Sequence, residues 1–140
     1  MMTGLNYSEI KIGQKAELKR TITEEDIVKF ADVSGDRNPL HLDESYASST
    51  FFKGRVAHGM LSAAFISAVL ANKLPGPGSI FLRQELDFKR PVRIGDTLNI
   101  TVEVIEKKDE KEHIILKTTC VNQRNELTVS GIATVMPMRM

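Results

Sequence analysis

Asp36 and His41 stand five positions apart in the stretch Asp36-Arg37-Asn38-Pro39-Leu40-His41. A carboxylic acid and an imidazole this close can share the proton work of one reaction, because histidine titrates near neutrality and a carboxyl group that loses solvent moves towards that range. Proline has no amide proton, its ring clashes with a preceding helical turn, and it drives the residue before it to extended backbone. The stretch therefore reads as an ordered loop or turn and not as a helix. Two readings follow. In one, Asp36 caps a turn and His41 sits idle in solvent, since Asp and Asn are common turn residues. In the other, the loop presents both groups to one reacting molecule.

A further candidate lies in the segment Gly54 to Ala64, "GRVAHGMLSAA". A helix that begins at His58-Gly59 leaves its first amides without internal acceptors, at the positive end of the helix dipole. Glycine there lets a ligand approach the backbone, so the Gly59 amide can donate to an oxygen on which negative charge builds. The plainer reading is that Gly59 relieves crowding at the helix entrance. His58, directly before the helix, is expected to pack or bond locally, and His113, in a β-rich run, to be exposed. Arg83, Lys89, Arg90 and Arg93 lie close together and can meet phosphate groups, although alternating charge along a strand is also how a solvated face looks.

The elements that must carry these residues show in the periodicity. Thr23 precedes Glu24, Glu25 and Asp26 and the apolar Ile27, Val28, Phe30 and Ala31, which predicts an N-capped helix ending at Ser34-Gly35. "DESYAS" offers another helical turn, and "STFFKGRVAHG" reads as irregular backbone. From His58 onward Met60, Leu61, Ala64, Phe65, Ala68, Val69 and Leu74 recur at steps of three and four, the mark of a helix with a broad apolar face, and "PGPG" at 75–78 stops it. The period then changes to two. Residues 80–88 and 97–104 alternate as half-buried strands, and "EHIILKTTCV" and "ELTVSGIATVMPM" are two more, joined by a hairpin through "NQRN". A first strand lies in "QKAELKRTIT". One strand, a helical segment, a long helix and four consecutive strands predict an α+β domain over residues 1–140, with the apolar helix laid across an antiparallel sheet.

Composition narrows the function. With 41% hydrophobic and 26% charged residues the chain is an ordinary globular sequence, and a formal net charge of +1 gives no electrostatic footprint for nucleic acid or an acidic membrane. The single Cys120 excludes an internal disulfide framework and a cysteine-based metal site, and reads as a small apolar core residue. The N-terminus lacks a signal or transit pattern, so the cytoplasm is the expected compartment. The uncharged run from Val56 to Asn72 falls short of the ~20 apolar residues that a membrane span needs.

Taken together, "SGDRNPLHLD", "GRVAHGMLSAA" and "LDFKRPVRIGDTL" resemble the MaoC-like hydratase and dehydratase family, the (R)-specific enoyl-CoA hydratases of the hotdog fold. The resemblance implies an antiparallel sheet wrapped around a central α-helix, and a homodimer with its active sites at the subunit interface. It places Asp36 and His41 on the catalytic acid and histidine, Gly59 on the oxyanion amide and Ser62 on a nearby substrate-binding helix position. The implied reaction is reversible hydration of trans-2-enoyl-CoA to (R)-3-hydroxyacyl-CoA, with no cofactor and no metal. Arg83, Lys89, Arg90 and Arg93 become candidate contacts for coenzyme A phosphates. Dehydration of a 3-hydroxyacyl-acyl carrier protein and thioester hydrolysis stay open as alternatives, and so does a non-catalytic acyl-thioester-binding module. The presence of both Asp36 and His41 speaks against the last, since a binding module has no need of the pair.

Overall fold

In the computed structural model, residues 3–139 are described. A short 3₁₀ turn at Tyr7–Glu9 leads into β1 (Lys15–Thr21), followed by α1 (Glu24–Ser34), α2 (Pro39–Leu42), α3 (Glu44–Ser48), α4 (Gly59–Asn72), β2 (Ile80–Phe88), β3 (Thr97–Lys108), β4 (His113–Val121) and β5 (Leu127–Met136). The predicted cap at Thr23 is present. Its hydroxyl accepts from the Asp26 amide at 3.1 Å, and the Asp26 carboxylate accepts from the Thr23 amide at 3.0 Å. Gly35 closes the helix with φ 80°, a left-handed conformation that suits glycine.

The five strands form one antiparallel sheet in the order β1-β3-β4-β5-β2. Period-two alternation turns Leu98, Ile100, Val102 and Val104 of β3, Ile114, Leu116 and Cys120 of β4, and Val129, Ala133 and Val135 of β5 into the core. Helix α4 packs on this face through Leu61, Phe65, Ile66, Val69 and Leu70, as the hotdog arrangement requires. Cys120 is buried within it. Among the described residues, no helix is long and apolar enough to cross a membrane.

Two expectations are corrected. First, His41 does not lie on a loop: Pro39 is the first residue of α2, where its missing amide proton costs nothing, and Asn38 Oδ1 caps the turn by accepting from the Leu40 amide at 3.0 Å. Second, β2 is not half-buried. It is the last strand of the sheet, paired only with β5, and Ile80, Phe81, Leu82 and Phe88 are 40–51% exposed. Helix α4 covers the middle of the sheet and leaves Met60 and Ala64, on its other side, facing outward as well. An apolar groove lined by Met60, Ala63, Ala64, Phe81, Leu86 and Phe88 runs between this helix face and β2.

Candidate active site

Three non-adjacent segments build the site. After Gly35 the chain turns sharply, with the Ser34 hydroxyl accepting from the Asp36 amide at 3.1 Å and Asp36 Oδ1 accepting from the Asn38 amide at 3.2 Å. Asp36 is thus a turn former, as the plainer of the two readings has it. It is also next to His41, so the readings are not exclusive: Asp36, His41 and His58 each bring a ligand-type atom to within 4.8 Å of the others. Asp36 itself is exposed.

His41 is half-buried, and its Nδ1 lies 2.8 Å from the Val56 carbonyl oxygen. A carbonyl only accepts, so the proton sits on Nδ1 and the lone pair is on Nε2. The imidazole is held in the tautomer a general base needs. His58, just before α4, is 1% exposed. Its Nε2–H donates to the Asp36 carbonyl at 3.0 Å, its ring centroid lies 4.0 Å from that of His41 and 4.9 Å from that of Phe30, and its Nδ1 is buried without a partner among the described residues. Burial lowers the His58 pKa; the carbonyl of Asp36 opposes the shift and the neighbouring His41 adds to it. His58 packs as expected, but its bond is not local: the partner is the backbone of Asp36. Nothing in the sequence marks that pairing across 22 residues.

The cleft beside these groups has a volume of about 520 Å³ and is walled by Phe51, Phe52, Val56, Ala57, Phe88, Pro91, Val92 and Val129. His41, His58, Gly59 and Ser62 line it, together with Lys89 and Arg90. Its apolar walls and few convergent polar groups suit a small acyl ligand. Gly59 is the first residue of α4, so its amide has no intrahelical acceptor. A Cβ on it would stand 2.9 Å from Phe88 Cδ1 and Cε1, so the crowding explanation for this glycine also holds. The four candidate cations are divided. Lys89 and Arg90 border the cleft, with Arg90 3.6 Å from Glu126. Arg83 pairs with Glu85 at 2.6 Å on β2 and does not line it. Arg93 donates to the carbonyls of Phe52 and Arg55 at 2.6 and 3.3 Å, so its guanidinium is engaged in holding a loop.

Asp36, His41 and His58 form the one cluster of metal-ligand type among the described residues. His41 Nδ1 and His58 Nε2 are already spent on carbonyls, and Asp36 Oδ1 on an amide.

A family model described as "MaoC like domain" matches residues 6–126. An (R)-specific enoyl-CoA hydratase of Rhodospirillum rubrum is 52% identical over 130 residues, which are 93% of this chain and 90% of that protein. A 3-hydroxybutyryl-CoA dehydratase of Methylorubrum extorquens is 43% identical over 131 residues, 94% of this chain and 83% of that protein. The solved structure of an unliganded R-hydratase from Pseudomonas aeruginosa matches with a TM-score of 0.91 at 48% identity, covering 98% of this chain and 88% of that one.

Proposed function

The chain belongs to the MaoC-like family, and on that premise we propose that it is a hydro-lyase that adds water reversibly to trans-2-enoyl-CoA to give (R)-3-hydroxyacyl-CoA. The observation that carries the mechanism is the bond from His41 Nδ1 to the Val56 carbonyl, because it leaves Nε2 as an acceptor at the cleft wall. In this mechanism a water oxygen attacks Cβ while His41 Nε2 takes one of its protons. The electron pair of the double bond moves towards the thioester oxygen, and a proton delivered at Cα completes the addition. The Gly59 amide, at the positive end of α4, stabilises the enolate oxygen. The proton that reaches Cα is the one His41 took from water, so both side chains end as they began; Asp36, beside the imidazole, orients the water or relays that proton. Ser62, 2% exposed one turn along the helix, shapes the acyl end of the cleft. Base, proton relay and oxyanion donor are all supplied by residues of this chain in this scheme, so it routes no step through a cofactor or a metal.

Coenzyme A is the carrier this reading favours. Lys89 and Arg90 at the cleft border supply a few local cations for its phosphates, and the net charge of +1 offers no general attraction to an acidic carrier protein. We further propose that the working unit is a homodimer, in which a second copy covers the exposed β2 edge and the outward face of α4. The direct test is a spectrophotometric assay with crotonyl-CoA, following loss of the conjugated enoyl absorbance. Asp36→Asn and His41→Ala should each slow hydration at least about a hundredfold while the fold persists. Near-normal turnover by either folded variant removes that residue from the mechanism, and absence of any turnover by the unaltered protein removes the coenzyme A assignment.

A further inference from the structure

Helix α2, which carries His41, has only four residues. A single turn of this length does not hold itself in water, so the orientation of the His41 ring depends on what grips it from outside. The grip comes from Arg55 and Val56. Val56 N–H donates to the Leu40 carbonyl at 3.3 Å, His41 Nδ1–H donates to the Val56 carbonyl at 2.8 Å, and Arg55 Nε–H donates to the His41 carbonyl at 2.7 Å. Of these three bonds, the last is the shortest and the one with a charged donor, which makes it the strongest type. It also puts a cation at the C-terminal end of the turn, where the carbonyls lack internal donors.

Arg55 is itself fixed on every side. Its backbone amide donates to Glu44 Oε2 at 3.1 Å, and its carbonyl accepts from Arg93 Nη1 at 3.3 Å. Its Nη2 lies 2.8 Å from Glu24 Oε2, an ion pair whose angle is not that of a hydrogen bond. The side chain is 15% exposed, so this guanidinium is not a free surface cation.

We propose that Arg55 is the positioning residue of His41: by bonding the His41 carbonyl while paired to the first turn of α1, it fixes where the imidazole meets the cleft. This rests on the reading of His41 as the base. Arg55 touches no reacting atom in this scheme, and its whole effect on the rate runs through His41. That separates it from an arginine that merely stabilises the fold, whose loss would slow the reaction with or without a histidine at position 41.

The test is a double-variant cycle on crotonyl-CoA hydration. Arg55→Met should lower kcat about ten- to hundredfold, the scale on which displacement of a catalytic group by an ångström acts, with KM changed less than about threefold. Arg55→Lys, which keeps the charge but cannot serve His41 and Glu24 together, should lie between the two. In a His41→Ala background, Arg55→Met should cost less than about twofold, because the group it positions is gone. Circular dichroism confirms folding in each case, and if Arg55→Met does not fold, the cycle is run with Arg55→Lys. A folded Arg55 variant with unaltered kcat overturns the proposal, and so does a loss as large without His41 as with it. These outcomes differ from failure of the hydratase reading, in which the unaltered protein shows no turnover at all.

Discussion

Replacing Gly59 by alanine tests the oxyanion assignment without removing the amide it relies on. The new Cβ would stand 2.9 Å from Phe88 Cδ1 and Cε1, where carbon atoms in contact ordinarily keep about 3.5–4.0 Å. Either the ring or the helix entrance must then move by about 0.6–1 Å. Both lie on the cleft, since Phe88 and Gly59 line it. Gly59 is not among the glycines with a left-handed backbone, so alanine is conformationally acceptable there and gains up to ~1 kcal/mol of helix propensity. That gain offsets much of the ~1–3 kcal/mol that overpacking costs. Stability should therefore change little while the rate changes much. An amide displaced by most of an ångström loses a large part of an interaction worth about a hundredfold or more, so kcat for crotonyl-CoA should fall about ten- to hundredfold. The decisive comparison is Gly59→Ala in a Phe88→Ala background, where the space is restored and the further loss should be under about twofold. Full activity of the single variant refutes the reasoning. An undiminished loss in the Phe88→Ala background refutes the steric part of it.

The burial of His58 makes stability depend on pH. Its folded-state pKa lies below its unfolded value, so as pH falls through 6.5 the unfolded chain binds the proton first and the folded state loses stability. Melting temperature should fall on acidification below neutrality, and His58→Asn should flatten that slope; an unchanged slope contradicts the buried neutral imidazole. Charge reversal at Lys89 and Arg90 together should raise KM for crotonyl-CoA more than it lowers kcat, because phosphates are remote from the reacting carbons. Arg93 is left out of that pair because its guanidinium holds the carbonyls of Phe52 and Arg55. If enoyl-CoAs react poorly and the matching acyl carrier protein thioesters react well, the carrier assignment fails. Light scattering should show a dimer, and Leu82→Asp on the exposed β2 edge should yield an inactive monomer. A monomer with full activity rules out a shared site.

The fold was legible wherever a periodic pattern has one physical cause. Strands β3, β4 and β5 alternate because one face meets α4 and the other meets water, and Thr23 announces α1 because its cap is local. The pattern misled at β2, where the alternation of Ile80, Leu82, Leu86 and Phe88 with Arg83, Glu85 and Asp87 looks like that of a half-buried strand. Edge position is a property of sheet order, and sheet order is set by pairings such as Phe88 with Val129 that no window around residue 80 contains. It misled again at Pro39, since proline excludes a helix interior but is at home in a first turn. Five extended residues would span roughly 17 Å, so it is the local bonds of Asp36 and Asn38 to the amides two residues on, and the single turn of α2, that bring Asp36 next to His41.

What the sequence did not disclose is how the pair is held from a distance, because the long-range supports arrive from the segment 55–58. Val56 sets the tautomer of His41, Arg55 holds its carbonyl, and His58 holds the carbonyl of Asp36 while preceding the helix whose first amide is that of Gly59. One buried ring thus links Asp36, His41 and the Gly59 amide, the acid, the base and the oxyanion donor of the proposed mechanism. Its charge state matters for the same reason. In the proposed mechanism His41 becomes cationic on taking a proton from water, and a protonated His58, its ring centroid 4.0 Å away, would oppose that step. Burial that keeps His58 neutral removes the opposition. The acid-labile stability expected of His58 and an unhindered base at His41 are then two consequences of a single desolvated imidazole.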